Sequence, residues 1–348
     1  MPREFPELTH PVAQAPMAGG PSTPELAAAV ANAGGLGFVA AGYKSAAQLR
    51  DDIEATRALS AGPIGVNLFL VSEAQADEAG IAAYARELEP VSARYGTKLG
   101  APRFDDDDIK AKLAVVRDLR VPIVSFTFGC PTPALVRELQ ADGVAVWVTV
   151  TETNEAGAAA LAGADALVCQ GVEAGGHRGT FADVDGWGEV GLLALLRLTR
   201  AITELPLVAS GGIADGPGLA AVLAAGACAA QIGTAFMLCP EAGTSEAHRQ
   251  ALKRAGRTVL TRAFSGRRAR GIVNNFMREH EQHAPSAYPH VHHLTSPLRA
   301  AARAAGDPEA INLWAGQAYA LAQELPAAEL VARWSDELAN AQASSIRR

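Results

Sequence analysis

The sequence predicts a closed α/β barrel of eight parallel strands, a TIM (β/α)8 barrel, carrying an inserted lid or extension. Three observations predict it. Short apolar runs alternate with amphipathic helical stretches eight times along the chain. The runs are nearly continuous in apolar residues, the pattern of strands buried on both faces. Most of them end in glycine or polar residues, as strands do at the catalytic face of a barrel. An open doubly wound sheet shares this periodicity and stays open at this point.

The first apolar run is 12–15. A helix is expected over 22–33, with Thr23 placed to cap it and Pro24 at its first position. The run 36–40 and a helix over 45–59 follow, then the third run, 64–69. Residues 72–120 exceed what one crossover helix needs and hold two helix signals, 74–95 and 109–119. The acids Asp105, Asp106, Asp107 and Asp108 stand just before the second. They read as a solvated cap favouring the positive end of that helix rather than as metal ligands. The remaining runs are 121–126, 145–150, 166–169, 207–209 and 229–232, with helices expected at 133–140, 154–161, 190–202 and 217–225.

The rhythm then stops. Residues 1–237 are expected to form the barrel proper, 238–325 an inserted lid or extension, and 326–348 a C-terminal helix packing back on the barrel. Long insertions of this kind in barrels are usually functional. A chain of 348 residues fits one barrel of about 250 residues plus such an extension better than two equal domains.

Composition excludes several function classes. The net charge is −7, aromatics are 5%, and no basic block stands out, which argues against nucleic-acid binding. Cys130, Cys169, Cys228 and Cys239 form no CxxC pair, so neither a disulfide framework nor a zinc site is expected. Pro2, Arg3, Glu4 and Pro6 do not read as a signal peptide. No apolar run approaches the roughly 18–20 residues of a membrane span. A cytoplasmic enzyme acting on a small molecule is expected, with homo-oligomerisation left open.

The densest chemistry follows the sixth run: Gln170-Gly171-Val172-Glu173-Ala174-Gly175-Gly176-His177-Arg178-Gly179. Its glycines let backbone N–H groups approach a ligand. A histidine in such a turn can serve as base, acid or orienting donor. Ser210-Gly211-Gly212 and Gln231-Ile232-Gly233-Thr234 end the seventh and eighth runs, where barrels often hold a phosphate. That clamp, together with Ala15-Pro16-Met17 after the first run, suggests FMN. Residues 15–18 would supply backbone groups to the flavin edge, and Asn67 and Gln170 amides near its carbonyls.

Taken together, these segments resemble the nitronate monooxygenase family, formerly the 2-nitropropane dioxygenases. The resemblance rests on Ala15-Pro16-Met17-Ala18-Gly19-Gly20, Gly65-Val66-Asn67-Leu68-Phe69, Ser125-Phe126-Thr127-Phe128-Gly129, the 170–179 segment, Ala209-Ser210-Gly211-Gly212-Ile213 and Gln231-Ile232-Gly233-Thr234. It extends to residues 264–271 and to Trp314-Ala315-Gly316-Gln317. It implies an FMN-dependent enzyme that oxidises alkyl nitronates with O₂ to a carbonyl compound and nitrite, a detoxifying activity. It makes Asn67, Gln170, Gly175, Gly212 and Gln231 to Thr234 flavin contacts, and His177 the active-site histidine. Gly176 and Gly211 complete the expected cofactor set. Cys130 stands where the family has an aliphatic residue, and reads as an apolar filler.

His177 is expected to orient the nitronate oxygens or offset their charge, or to act as base on a neutral nitroalkane. Arg267, Arg268 and Arg270 read as an anion site or as a solvated, salt-bridged turn. His280, His283, His290, His292 and His293 lack a metal-binding pattern. Tyr288 and Tyr319 read as pocket wall or core. The rival functions are an FMN-dependent NAD(P)H:quinone reductase or enoyl-thioester reductase on the same barrel, and a non-redox barrel lyase or isomerase.

Overall fold

Residues 12–14 and 36 close the ring. A computed structural model describes residues 5–73 and 77–346 of the chain. Its main sheet contains β1 (Val12–Gln14), β2 (Gly37–Ala40), β3 (Ile64–Phe69), β4 (Ile123–Thr127), β5 (Ala145–Val150) and β6 (Ala166–Gln170). After the two-residue β7 (Gly176–His177), which lies outside it, the sheet resumes with β8 (Leu207–Ser210) and β9 (Ala229–Ile232). All eight pair in parallel, from β2 round to β9 and β1. A bridge between Ala13 and Leu36 joins the two ends, with Gln14 donating to the Leu36 carbonyl at 2.8 Å. The sheet therefore closes as a barrel, and the open-sheet alternative is removed.

Helices α1 (Pro24–Asn32), α2 (Ala46–Leu59), α3 (Glu78–Arg94), α4 (Ile109–Asp118), α5 (Pro133–Ala141), α6 (Thr153–Ala162), α7 (Leu192–Arg200) and α8 (Gly216–Ala224) connect the barrel strands. Their starts are written locally. The Thr23 hydroxyl accepts from the Leu26 N–H at 3.0 Å ahead of Pro24, and Ser45 with Gln48 makes a reciprocal capping box at α2. The helix expected from 74 begins at Glu78, capped by Asp77. Its expected first residues, 74–76, lie outside the described ones.

Inside the barrel, near the N-terminal ends of the strands, Phe38 and Trp147 are almost fully buried among aliphatic residues such as Leu36, Ile123 and Val208. Phe5 stacks on Trp147 with ring centroids 5.3 Å apart and plugs that end. Buried aromatics of this kind are worth about 3–5 kcal/mol each against alanine. The barrel is thus a packed core at one end, and ligand space is confined to the other.

Residues 238–325 contain α9 (Glu246–Leu252), β10 (Thr258–Thr261), β11 (Ala269–Ile272), α10 (Asn275–His280) and α11 (His290–Ala304), ahead of α12 (Ala327–Ile346). They share one apolar cluster with α3, in which Tyr84 and Leu88 meet Phe264, Phe276, Leu294 and Leu298. The Tyr84 hydroxyl donates to the Ala263 carbonyl at 2.7 Å. The two stretches that interrupt the barrel rhythm therefore pack on each other. β7 pairs antiparallel with β11, which pairs with β10. This small sheet ties the 170–179 segment to residues nearly a hundred positions later. None of the helices is long and apolar enough to cross a membrane among the described residues.

The acidic run departs from its reading as a solvated cap. Asp108 makes no side-chain cap bond to α4. Asp107 instead reaches inward to Lys112, which is fully buried, with Nζ and Oδ2 2.7 Å apart.

Candidate active site

One cavity of ≈ 590 Å³ opens at the C-terminal ends of the strands. Ala15, Pro16, Met17, Asn67, Gln170, Gly175, Gly176, His177, Gly211, Gly212, Gln231, Ile232, Gly233 and Thr234 all line it. These residues are far apart in sequence, and the parallel barrel brings them together because each lies in the C-terminal half of a strand or in the turn that follows one.

On the β8–β9 side the backbone is exposed to the cavity. Gly211 and Gly212 sit at φ +113° and +70°, where a side chain is strained. A Cβ on Gly211 would meet the Ala174 nitrogen at 2.8 Å, and one on Gly175 the Gly316 nitrogen at 2.5 Å. The N–H groups of Gly212 and Gly233 have no protein acceptor among the described residues. Gln231 is 5% exposed, and its Nε2 is buried without a partner. Buried polar groups are normally satisfied, so an orphaned amide beside free backbone donors points to an acceptor supplied by a ligand. A phosphate-bearing group of FMN's chemistry fits these donors. Thr234 adds a hydroxyl, which accepts from the Gly316 N–H at 3.0 Å and keeps its own proton to donate.

The amides on the other strands are partly committed. Asn67 Nδ2 donates to the Ser125 hydroxyl at 2.9 Å and to the Thr127 hydroxyl at 3.0 Å, so its carbonyl oxygen is what it offers a ligand. Gln170 uses both ends to brace the segment that follows it. Its Nε2 donates to the His177 carbonyl at 3.0 Å and its Oε1 accepts from the Gly179 N–H at 2.8 Å. Near the first strand, the Met17 N–H donates to the Ser22 hydroxyl at 2.8 Å and the Ala15 N–H to the Ile232 carbonyl at 2.8 Å. Of the backbone donors expected over 15–18, these two are therefore spent within the protein.

His177 sits in an aromatic box. Phe128, Tyr288 and Trp314 surround its ring at centroid distances of 5.8, 5.6 and 5.5 Å. Burial pushes its pKa down to about 3, helped by the positive charges of Arg267 and Arg299. The imidazole is therefore held toward its neutral form, which favours the orienting role among those expected of it. Its Nε2 lies 2.8 Å from the Ser265 hydroxyl. That hydroxyl also lies 3.1 Å from the Arg267 carbonyl; when it donates there, its oxygen accepts from His177 Nε2–H and Nδ1 is the basic nitrogen.

Positive charge comes from elsewhere. Arg299 is buried and lines the cavity, and its guanidinium donates to Thr295, Asn312, His292 and Ser296, all neutral. Burial lowers its pKa to about 10, which keeps it charged at neutral pH. Arg303, one turn later on α11, also lines the cavity. His292 and His248 line it too; burial pushes both down, His248 to about 4. Ser265, Asn312 and Trp314 also line the cavity from the 238–325 stretch, and Tyr43 lines it from the loop after β2.

The arginine cluster is neither an anion site nor a solvated turn. Arg267, Arg268 and Arg270 are buried, and their guanidinium groups tie the small sheet to the 170–189 segment. Arg267 Nε donates to the Arg178 carbonyl at 3.2 Å and Arg270 Nε to the Val172 carbonyl at 2.8 Å. Arg268 pairs with Asp183 at 3.0 Å, so the salt-bridged part of the expectation holds for it. Arg178 itself is fully buried and donates to the Gly171 and Gln170 carbonyls at 2.7 Å. The histidine cluster divides. His280 and His283 share the Glu87 carboxylate, and no metal-ligand cluster occurs among the described residues. Tyr319 is buried at the cavity wall, whereas Tyr288 packs behind His177. Cys130 is partly buried against apolar clusters.

Comparisons with known proteins agree with this geometry. A family model described as nitronate monooxygenase matches residues 3–337. A nitronate monooxygenase of Pseudomonas aeruginosa is 44% identical over 345 residues, covering 95% of this chain and 97% of its own length. A crystal structure of nitroalkane oxidase from Streptomyces ansochromogenes superposes with a TM-score of 0.95 at 49% identity, covering 97% of this chain and 98% of its own. FabK from Thermotoga maritima superposes with a TM-score of 0.77 at 28% identity, covering 98% of this chain and 96% of its own.

Proposed function

The chain belongs to the nitronate monooxygenase family, and from that premise we propose that it oxidises alkyl nitronates with O₂ to carbonyl compounds and nitrite, using FMN. The observation that carries this reading is that one cavity at the C-terminal ends of the strands holds both His177 and the unpartnered amide of Gln231 beside the glycine turns. The donors at Gly212, Gln231, Gly233 and Thr234 would hold the FMN phosphate end, and the Asn67 carbonyl oxygen would face the flavin ring system. FMN, when bound, supplies the two-electron acceptor that O₂ reoxidises.

The protein's own part is binding and orientation. A nitronate is already a carbanion equivalent, so no carbon-bound proton need be removed. The neutral imidazole of His177 positions the substrate through hydrogen bonding, while the fixed charge of Arg299 favours an anion in the cavity. The box of Phe128, Tyr288 and Trp314 excludes water from the reacting centre. Residues 238–325 act as a lid over it. Neutral nitroalkanes are a second reading, favoured by the likeness to a nitroalkane oxidase. The lowered pKa of His177 weakens it as a base, which favours the nitronate reading, since a nitronate needs no carbon-bound proton removed.

The cofactor is tested by heat release. The purified protein is expected to be yellow and to release a flavin that co-elutes with FMN. A released FAD, or no flavin after saturation, contradicts the phosphate clamp described above.

A further inference from the structure

Tyr43 follows β2 in a backbone conformation that bulky residues rarely adopt, with φ +67°. Its N–H donates to Asp107 Oδ1 at 2.8 Å, across 64 positions of sequence. Asp107 stands in the left-handed region too, at φ +60°, where aspartate is better tolerated than most residues. Its other oxygen faces Lys112 Nζ at 2.7 Å, and neither atom has a further partner among the described residues. The carboxylate is therefore fixed from behind by a fully buried ammonium and holds the Tyr43 backbone in front.

The Tyr43 ring lines the cavity and stacks on His292, centroids 4.2 Å apart and 6° from parallel. Its hydroxyl accepts from Tyr288 at 3.3 Å, and Tyr288 packs against His177. A change at Asp107 thus reaches a ring that lines the cavity and is linked through Tyr288 to the active-site histidine, although Asp107 is not itself among the lining residues.

We propose that Asp107 is a positioning residue: through the Tyr43 backbone it sets the ring that forms one wall of the nitronate pocket, and so sets how well small nitronates are held. This rests on the functional reading given above. Its chemistry is that of a specificity determinant acting at second hand, since strained backbone persists only where the surroundings fix it and is concentrated at functional sites.

Two double variants separate positioning from the ion pair. Asp107→Asn with Lys112→Met removes both charges but keeps an oxygen acceptor for the Tyr43 N–H. Asp107→Gly with Lys112→Met removes the acceptor as well, and glycine tolerates the left-handed backbone without strain. The asparagine pair is expected to keep wild-type KM for ethylnitronate. The glycine pair is expected to raise it about tenfold with kcat little changed, the size of effect expected for one altered pocket wall. FMN content should stay the same in both. Amide hydrogen exchange of the peptide spanning 41–46 gives a readout independent of turnover. Protection at Tyr43 should persist in the asparagine pair and be lost in the glycine pair.

Equal KM and equal exchange in the two double variants would overturn the proposal. So would an asparagine pair as impaired as the glycine pair, which would assign the effect to the ion pair. If the wild-type protein oxidises no nitronate, the functional reading fails; the exchange experiment then still decides whether Asp107 holds Tyr43.

Discussion

His177→Asn is expected to retain FMN and to lower nitronate turnover by roughly 10–10³-fold, the range for loss of one positioned polar group. FMN is expected to stay because most of the contacts proposed for it, at the glycine turns after β8 and β9, Gln231 and Asn67, come from other strands than the segment that carries His177. Turnover falls because asparagine cannot reproduce an imidazole fixed by the Ser265 hydroxyl at 2.8 Å and boxed by three aromatic rings. Any turnover of a neutral nitroalkane should fall further, since only that substrate needs a base. The pH dependence has a definite sign. A histidine whose pKa is depressed to about 3 is already deprotonated above that pH. Wild-type kcat/KM for a nitronate should therefore show no histidine inflection between pH 5 and 8. Steady-state kinetics against flavin-normalised enzyme checks both statements. Unchanged kinetics in His177→Asn would make the residue structural.

Gln231→Leu is expected to move two measurements in opposite directions. The flavin-free protein should gain about 1–3 kcal/mol, because a buried amide without a partner is replaced by an apolar group of similar size. FMN affinity should fall about 10–100-fold, the equivalent of one lost hydrogen bond to a charged or strongly polar group. The orphaned Nε2 motivates both halves. Thermal unfolding without flavin and fluorescence titration with FMN read them separately. An unchanged FMN affinity would remove Gln231 from the cofactor site, whatever happens to stability.

The barrel was legible in the sequence because strands buried on both faces leave unbroken apolar runs, as at 64–69 and 145–150. The floor of the site was legible for the same reason: a polar or glycine residue directly after such a run is placed by the strand itself. The cap was not. β7 is a glycine and a histidine with no strand propensity, and it forms only because β11 offers it an edge. Arg267 and Arg270 look like surface charges, since the carbonyls that satisfy them lie some 90 positions away. Asp107 resembled a helix-terminal acid, because the local pattern of α4 cannot reveal that Tyr43 and Lys112 claim its two oxygens. His292, Arg299 and Asn312 reach the cavity from a segment whose periodicity says only that it is helical or irregular. The one available signal was the number of histidines and arginines crowded between 262 and 303, far more than a solvated lid needs.

The most direct test is anaerobic. The oxidised, flavin-loaded protein is mixed without O₂ with a nitronate and, separately, with NADH or NADPH, and the flavin absorbance is followed. Rapid bleaching by the nitronate, with nicotinamide leaving the spectrum unchanged, is the predicted result. Bleaching by NADH or NADPH with none by nitronates would contradict the account and make this cavity the site of a nicotinamide-dependent reductase.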